Sequence, residues 1–163
     1  MTLAEQAVAA LHKNELVLAT AESSTGGLIA AKITAVAGCS AVFAGSVCAY
    51  ANDLKQRLLG VSADTLQTYG AVSPQPAREM AIGIRRLTGA SIAIAETGIA
   101  GPNGGTAQKP VGLAYIAVCS DAETSVICLQ PDSERTYTRA QIQDCIVRNA
   151  LQFLLTAIEK NEK

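Results

Sequence analysis

Leu16-Val-Leu-Ala-Thr20 runs into Ala21-Glu-Ser-Ser-Thr-Gly-Gly27, and that segment runs into Leu28-Ile-Ala-Ala-Lys-Ile-Thr-Ala-Val36. The first five residues are apolar or β-branched and read as a buried strand. The last nine read as a helix with little polar surface. The segment between them is poor in packing groups and crowded with hydroxyls and glycine. It sits where a strand ends and a helix begins, which is where ligand sites gather in open α/β sheets. Free N–H groups there would suit an anion or a developing oxyanion. A strand-to-helix turn with no ligand is the competing reading, since Ser, Thr and Gly favour such turns anyway.

Outward from this stretch the elements alternate. Thr2-x-x-Glu5 forms a capping box before Leu3, Ala7, Ala10 and Leu11, which predicts an opening amphipathic helix. Phe43 to Tyr50 reads as the next strand. Asn52 is placed to cap a helix through Leu59. A short helix follows from Ser62, and a longer one runs from Ser73-Pro74 to about Leu87. Ser91 to Ala95 reads as a third strand, followed by the glycine-rich segment Gly98 to Pro110. Val111 to Cys119 and Thr124 to Leu129 form a hairpin around Ser120-Asp-Ala-Glu123. The last helix runs from about Ser133 towards Lys160, with Ile142, Ile146, Phe153, Leu154 and Ile158 inward, and the polar end Glu159 to Lys163 frays. This order predicts an α/β fold, a mixed sheet with helices on both faces, in a single domain over residues 1–163.

Composition narrows the function classes. Nearly half of the 163 residues are apolar and 17% are charged, so the chain is long and apolar enough to bury a core. Lys plus Arg (13) nearly balance Asp plus Glu (14), which leaves no basic footprint for direct nucleic-acid contact. No apolar run approaches the ~20 residues of a membrane span, and the N-terminus lacks a secretory pattern. A cytoplasmic protein without membrane partners is expected. The five cysteines show no CxxC spacing and read as reduced, buried thiols.

The catalytic sets available are few. His12 is the single histidine and lies far in sequence from both glycine-rich segments, so a Ser-His-Asp set and a His-rich metal site are disfavoured. No metal or cofactor is expected. No Gly-x-x-x-x-Gly-Lys-Ser/Thr occurs, and no Gly-x-Gly-x-x-Gly opens a helix, so Thr97-Gly-Ile-Ala-Gly-Pro-Asn-Gly-Gly105 is neither phosphate fingerprint. It is a second candidate site segment or a plain surface loop. A hydrolase built on this chain needs a lysine or carboxylate base. Lys55, in Tyr50-Ala-Asn-Asp-Leu-Lys55, is the best placed, provided its pKa falls through burial, and the Tyr50 hydroxyl is placed to orient it or relay a proton. An exposed first-turn lysine and a strand-end aromatic are the alternatives.

At these residues the chain resembles the CinA C-terminal family. The matching segments are Ala21-Glu-Ser-Ser-Thr-Gly-Gly-Leu28, Tyr50 to Lys55, Leu59-Gly-Val61, Gly70-Ala-Val-Ser73, Thr97 to Pro102 and Lys109-Pro-Val-Gly112. The resemblance implies a three-layer α/β/α sandwich with a mixed, mostly parallel sheet, in the stand-alone form of the PncC-type deamidases. It implies hydrolysis of the carboxamide of nicotinamide mononucleotide to nicotinate mononucleotide and ammonia. Ser23 matches the family's nucleophile, Tyr50 and Lys55 the assisting pair, and Thr97 a hydroxyl at the site. Backbone N–H groups of Thr25, Gly26 and Gly27 are expected to hold the oxyanion, with Thr97 and Gly98 on the nucleotide side. A homo-oligomer, most often a dimer, is expected. Ser24, Ala51 and Glu96 depart from the family pattern, which more often has Cys, Ser and a small or apolar residue there. A carboxylate at Glu96 that kept Lys55 protonated would leave a nucleotide-binding module without turnover, the alternative function.

Overall fold

The computed structural model describes residues 1–132 and 135–161. Helix α1 (Leu3–Lys13) starts at the capping box, with the Thr2 hydroxyl on the Glu5 N–H and the Glu5 carboxylate on the Thr2 N–H. Strand β1 (Leu18–Glu22) is buried along its whole length. Gly26 and Gly27 both have positive φ, +62° and +100°, and turn the chain into α2 (Leu28–Thr34). Side chains rarely tolerate two such residues in succession, which explains the paired glycines. Strand β2 (Phe43–Cys48) leads to α3 (Asn52–Leu59), then α4 (Ala63–Tyr69) and α5 (Pro74–Thr88). Strands β3 (Ile92–Gly98), β4 (Ala114–Cys119) and β5 (Thr124–Leu129) precede α6 (Arg139–Asn161).

Among the described residues the sheet has five strands in the order β2-β1-β3-β4-β5. β1 pairs in parallel with β2 and β3, while β3–β4 and β4–β5 are antiparallel. β4 therefore runs against the other four, giving the mixed sheet expected from the sequence. Helices α1, α2 and α6 cover one face over Leu18, Ile92, Ile94, Ile116 and Val118. Helix α5 lies on the other, over Ala19, Ala21, Ala93, Ala95 and Ala117, with α3 and α4 packed on it. In β1 and β3 the period of two divides the larger residues from alanines. Gly83 of α5 admits α3 at close range, because a Cβ there would fall 1.8 Å from the Leu59 carbonyl oxygen.

Several boundaries move from the sequence reading. β1 begins at Leu18 rather than Leu16, and Asn52 is the first helical residue of α3, with Ala51 at the cap and no side-chain cap bond. β3 continues three residues past Ala95, because Glu96, Thr97 and Gly98 pair with Ile116, Tyr115 and Ala114 of β4. β4 begins at Ala114, after a turn at Gly112 (φ +95°) in which the Leu113 N–H donates to Pro110. Ser133, the expected start of the last helix, lies outside the described residues; positions 135–138 are not helical and α6 starts at Arg139. The five cysteines are free, but only Cys119 is buried. Cys48, Cys128 and Cys145 are exposed, because their places on edge strands and the outer face of α6 leave them uncovered.

Candidate active site

The C-terminal ends of β1 and β3 lie side by side, and β2 delivers the chain to α3 next to them. Ser23 follows β1 directly and Lys55 stands in the first turns of α3. The Lys55 side chain turns inward and is 1% exposed. Its Nζ lies 3.1 Å from Ser23 Oγ, 2.9 Å from the Ala49 carbonyl and 3.2 Å from the Tyr50 carbonyl. Among the described residues no carboxylate lies within ion-pair distance of it. Burial pushes the Lys55 amine below its usual 10.5, opposed by the smaller influence of the ionisable groups Glu96 and Cys48. An ammonium there donates to all three oxygens, whereas a neutral amine keeps its two N–H bonds on the carbonyls and turns its lone pair to the serine hydroxyl.

The remaining residues singled out from the sequence take different positions. Tyr50 meets Lys55 through its carbonyl; its ring is 61% exposed and its hydroxyl accepts from Arg139 Nη2 at 2.9 Å. The Tyr50 hydroxyl expected to orient Lys55 or relay its proton is therefore turned to Arg139 instead. Thr25, Gly26 and Gly27 have engaged N–H groups: Thr25 donates to Glu96, Gly26 to the Ser23 carbonyl and Gly27 to Glu22. They build the turn and are not free for an oxyanion. The Ser24 N–H, next to the nucleophile, has no hydrogen-bond partner among the described residues. Thr97 is buried and its hydroxyl donates to the Ala71 carbonyl at 2.8 Å. A Cβ on Gly98 would lie 3.0 Å from Ser24 Oγ, so glycine there lets β3 close on the serine loop.

Glu96 is fully buried, and its contacts run to the serine loop rather than to Lys55. Its Oε1 accepts from the N–H groups of Ser23 (2.6 Å) and Thr25 (2.9 Å), and its Oε2 from Ser24 Oγ (2.6 Å). Glu22, also fully buried, accepts from the N–H groups of Gly27, Ile29 and Ala30 at the start of α2. Sequence reasoning missed Glu22 and Arg139 as site-building residues. The signal for Glu22 was available: it continues the inward row Leu18, Thr20, Glu22 of a buried strand and precedes a helix whose first N–H groups need acceptors. Arg139 carries no comparable local signal.

Ser23, Lys55, Asn52, Thr97, Gly98 and Arg139 are among the residues lining one cleft of about 260 Å³, which Ile99 to Gly101, Asn103 and Gly104 also line. Its size is just below the usual range of ligand pockets, which starts at roughly 300 Å³. A larger hollow of about 590 Å³ between the end of β5 and the start of α6 touches neither Ser23 nor Lys55. Among the described residues no group of three or more His, Cys, Asp or Glu could hold a metal ion, and no helix is long and apolar enough to cross a membrane. The arrangement suits a serine nucleophile with an amine base.

Comparison with known proteins gives a consistent picture. The family described as CinA C-terminal domain matches residues 1–158. A putative competence-damage inducible protein of Thermoanaerobacter sp. (strain X514) is 47% identical over 137 residues, covering 84% of this chain and 33% of that protein. A CinA-like protein of Prochlorococcus marinus (strain MIT 9215) is 40% identical over 162 residues, 99% of this chain and 38% of its own length. The chain thus spans about a third of the length of these curated relatives. Among solved structures, the competence/damage inducible protein CihA from Agrobacterium tumefaciens superposes with a TM-score of 0.90 at 40% identity, over 96% of this chain and 93% of that one. A CinA superfamily protein from Klebsiella pneumoniae 700603 gives 0.89 at 32% identity, over 97% and 96%.

Proposed function

We propose that this chain, which belongs to the CinA C-terminal domain family, is an amidohydrolase that converts the carboxamide of nicotinamide mononucleotide to the carboxylate and ammonia. The observation that carries the reading is the buried Lys55 amine 3.1 Å from the Ser23 hydroxyl. A lysine shielded from water and unpaired with a carboxylate is disfavoured as an ammonium, and a neutral amine is a base.

The chemistry follows from the contacts. The Lys55 lone pair takes the Ser23 proton as Oγ attacks the amide carbon. The Ser24 N–H, adjacent to the nucleophile and uncommitted, donates to the oxyanion. The Lys55 ammonium returns the proton to the leaving nitrogen, and ammonia departs. Water then attacks the acyl-enzyme, with Lys55 again accepting a proton, and the carboxylate product is released. The Ala49 and Tyr50 carbonyls aim Lys55 throughout, since both stay bonded to its N–H groups. Thr97 and Gly98 form the wall for the nucleotide, and the Thr25-Gly26-Gly27 turn supports the serine.

Ammonia release from nicotinamide mononucleotide by the purified protein tests this, with Ser23→Ala as the control. Hydrolysis absent from wild type would overturn the amidase reading. Nucleotide binding without ammonia would favour the non-hydrolysing module, whose support rested on Glu96 gripping Lys55. The small-molecule substrate, the cytoplasmic location and the homo-oligomeric state belong to the same proposal; sedimentation of the purified chain tests the last.

A further inference from the structure

Glu22 and Glu96 lie next to each other on the same face of the sheet. Ala21 of β1 is opposite Ala95 of β3, and the next residue on each strand is one of the two glutamates. Both side chains are fully buried. Between them stands the Thr25 hydroxyl, with Oγ1 2.6 Å from Glu22 Oε2 and 2.8 Å from Glu96 Oε1. A hydroxyl has one proton and can donate to only one of these oxygens. If both carboxyls were anionic, the other contact would set lone pair against lone pair, with two like charges adjacent across strands in a fully buried site.

We propose that Glu22 and Glu96 hold one proton between them through Thr25, resident on Glu96, so that the nucleophile loop is clamped by an undissociated acid. The donor inventory sets the side. Glu22 accepts three backbone N–H groups at the start of α2, together with the Thr20, Thr25 and Ser46 hydroxyls. Glu96 has two backbone N–H groups and the Ser24 and Thr25 hydroxyls. The better-solvated carboxyl keeps the charge, as in other close carboxyl pairs that share a proton. The proton then runs from Glu96 Oε1 to Thr25 Oγ1, and the Thr25 proton to Glu22 Oε2, while Ser24 Oγ still donates to Glu96 Oε2. Every short contact has its hydrogen. The other titratable groups near the pair are Lys55 on α3 and Cys48 at the end of β2. Burial pushes Glu96 above its usual 4.5, against the lowering effect of its bonds from Ser24, Thr25 and Ser23.

This makes Glu96 a positioning residue. It holds Ser23 and Thr25 by their N–H groups without placing a negative charge beside Lys55. Infrared difference spectroscopy of the whole chain labelled with 13C-carboxyl glutamate reads the proton directly. One C=O band of an undissociated carboxyl is expected at pH 7, shifted by deuteration, lost in Glu96→Gln and kept in Ser23→Ala. Absence of that band in wild type, or its survival in Glu96→Gln, overturns the proposal. Should Glu96→Gln not fold, Ser24→Ala removes one donor from the same carboxyl, and a band it leaves unmoved likewise overturns the assignment. A second arm rests on the amidase reading, while the infrared arm does not. Because Gln replaces a group already neutral, the pH–rate midpoint of Glu96→Gln should match wild type; a midpoint moved to lower pH means Glu96 carried the charge.

Discussion

Replacing Gly83 by alanine tests whether the packing of α3 on α5 sets the position of the base. Alanine is favoured over glycine inside a helix by roughly 1 kcal/mol, so α5 taken alone would gain. The added methyl, however, would sit 1.8 Å from the Leu59 carbonyl oxygen and 2.6 Å from its carbon. A carbon normally approaches a carbonyl oxygen no closer than about 3.3 Å, so the C-terminal turn of α3 must retreat by about 1.5 Å. Overpacking of this kind costs about 1–3 kcal/mol, and a clash with main chain, which has no rotamer to change, belongs at the upper end. The net loss is then about 2 kcal/mol, or about 4–8 °C in melting temperature for a chain of this length. Lys55 rides on the same two-turn helix, and its Nζ starts at 3.1 Å from Ser23 Oγ. A shift of about 1 Å takes that contact out of hydrogen-bond range and is worth about 100-fold in rate. Calorimetry and single-turnover hydrolysis below the new melting temperature measure both effects. A variant with wild-type rate despite a lowered melting temperature would refute the link between the helix seam and the base, and one unchanged in both would refute the packing.

The other predictions concern the site itself. Ser23→Ala should lower hydrolysis by several orders of magnitude and barely move the melting temperature, because among the described residues Lys55 is the only side chain that hydrogen-bonds its hydroxyl; near-normal turnover would remove the nucleophile. Wild-type activity should rise with pH through the lowered pKa of Lys55, and Lys55→Arg should be nearly inactive because a guanidinium stays protonated. A lysine lowered on folding makes stability rise with pH from its folded value up to the ordinary 10.5, so Lys55→Met should melt higher than wild type at neutral pH while losing activity. Glu96 works in the opposite direction: its raised folded pKa gives a contribution that is full below 4.5 and lost as pH rises to the folded value, by at most about 1.4 kcal/mol per unit. Melting curves of wild type against Glu96→Gln over that window should converge in acid and diverge above it. Chelators should leave hydrolysis unchanged, and full loss restored by a divalent ion would exclude the serine–lysine chemistry.

The segments that decide the fold are legible because their signals are local. The capping box, the Gly26-Gly27 turn and the apolar run of β1 each state their conformation within a few residues. Ser23 and Lys55 were legible as candidates for the same reason. Their meeting was not, since burial of a lysine depends on the α3–α5 seam, set by Gly83 and Leu59 from distant parts of the chain. Glu96 shows the limit most clearly. Read in isolation beside Thr97 it looks like a partner for Lys55, yet strand alternation sends it to the opposite face, in line with Ile92 and Ile94 and next to Glu22. The error lay in judging proximity along the chain when the period of two decides which side chains share a face. The three N–H groups of Thr25 to Gly27 were likewise misjudged, because their acceptors include a carboxylate more than seventy residues away.

The alanines beneath α5 bear on how the molecule comes apart. With alanines at the centre of that face, Ala19 and Ala21 of β1, Ala93 and Ala95 of β3 and Ala117 of β4, the helix settles low enough to reach all five strands. A rod lying across every plank of a floor cannot be lifted from one plank at a time. Fraying of either edge strand leaves α5 in place, whereas release of α5 uncovers one face of the sheet across all five strands and frees the seat of α3. The amides of α5 should therefore exchange with solvent only through global opening. Any event that exposes the base Lys55 from that side should coincide with loss of the fold itself.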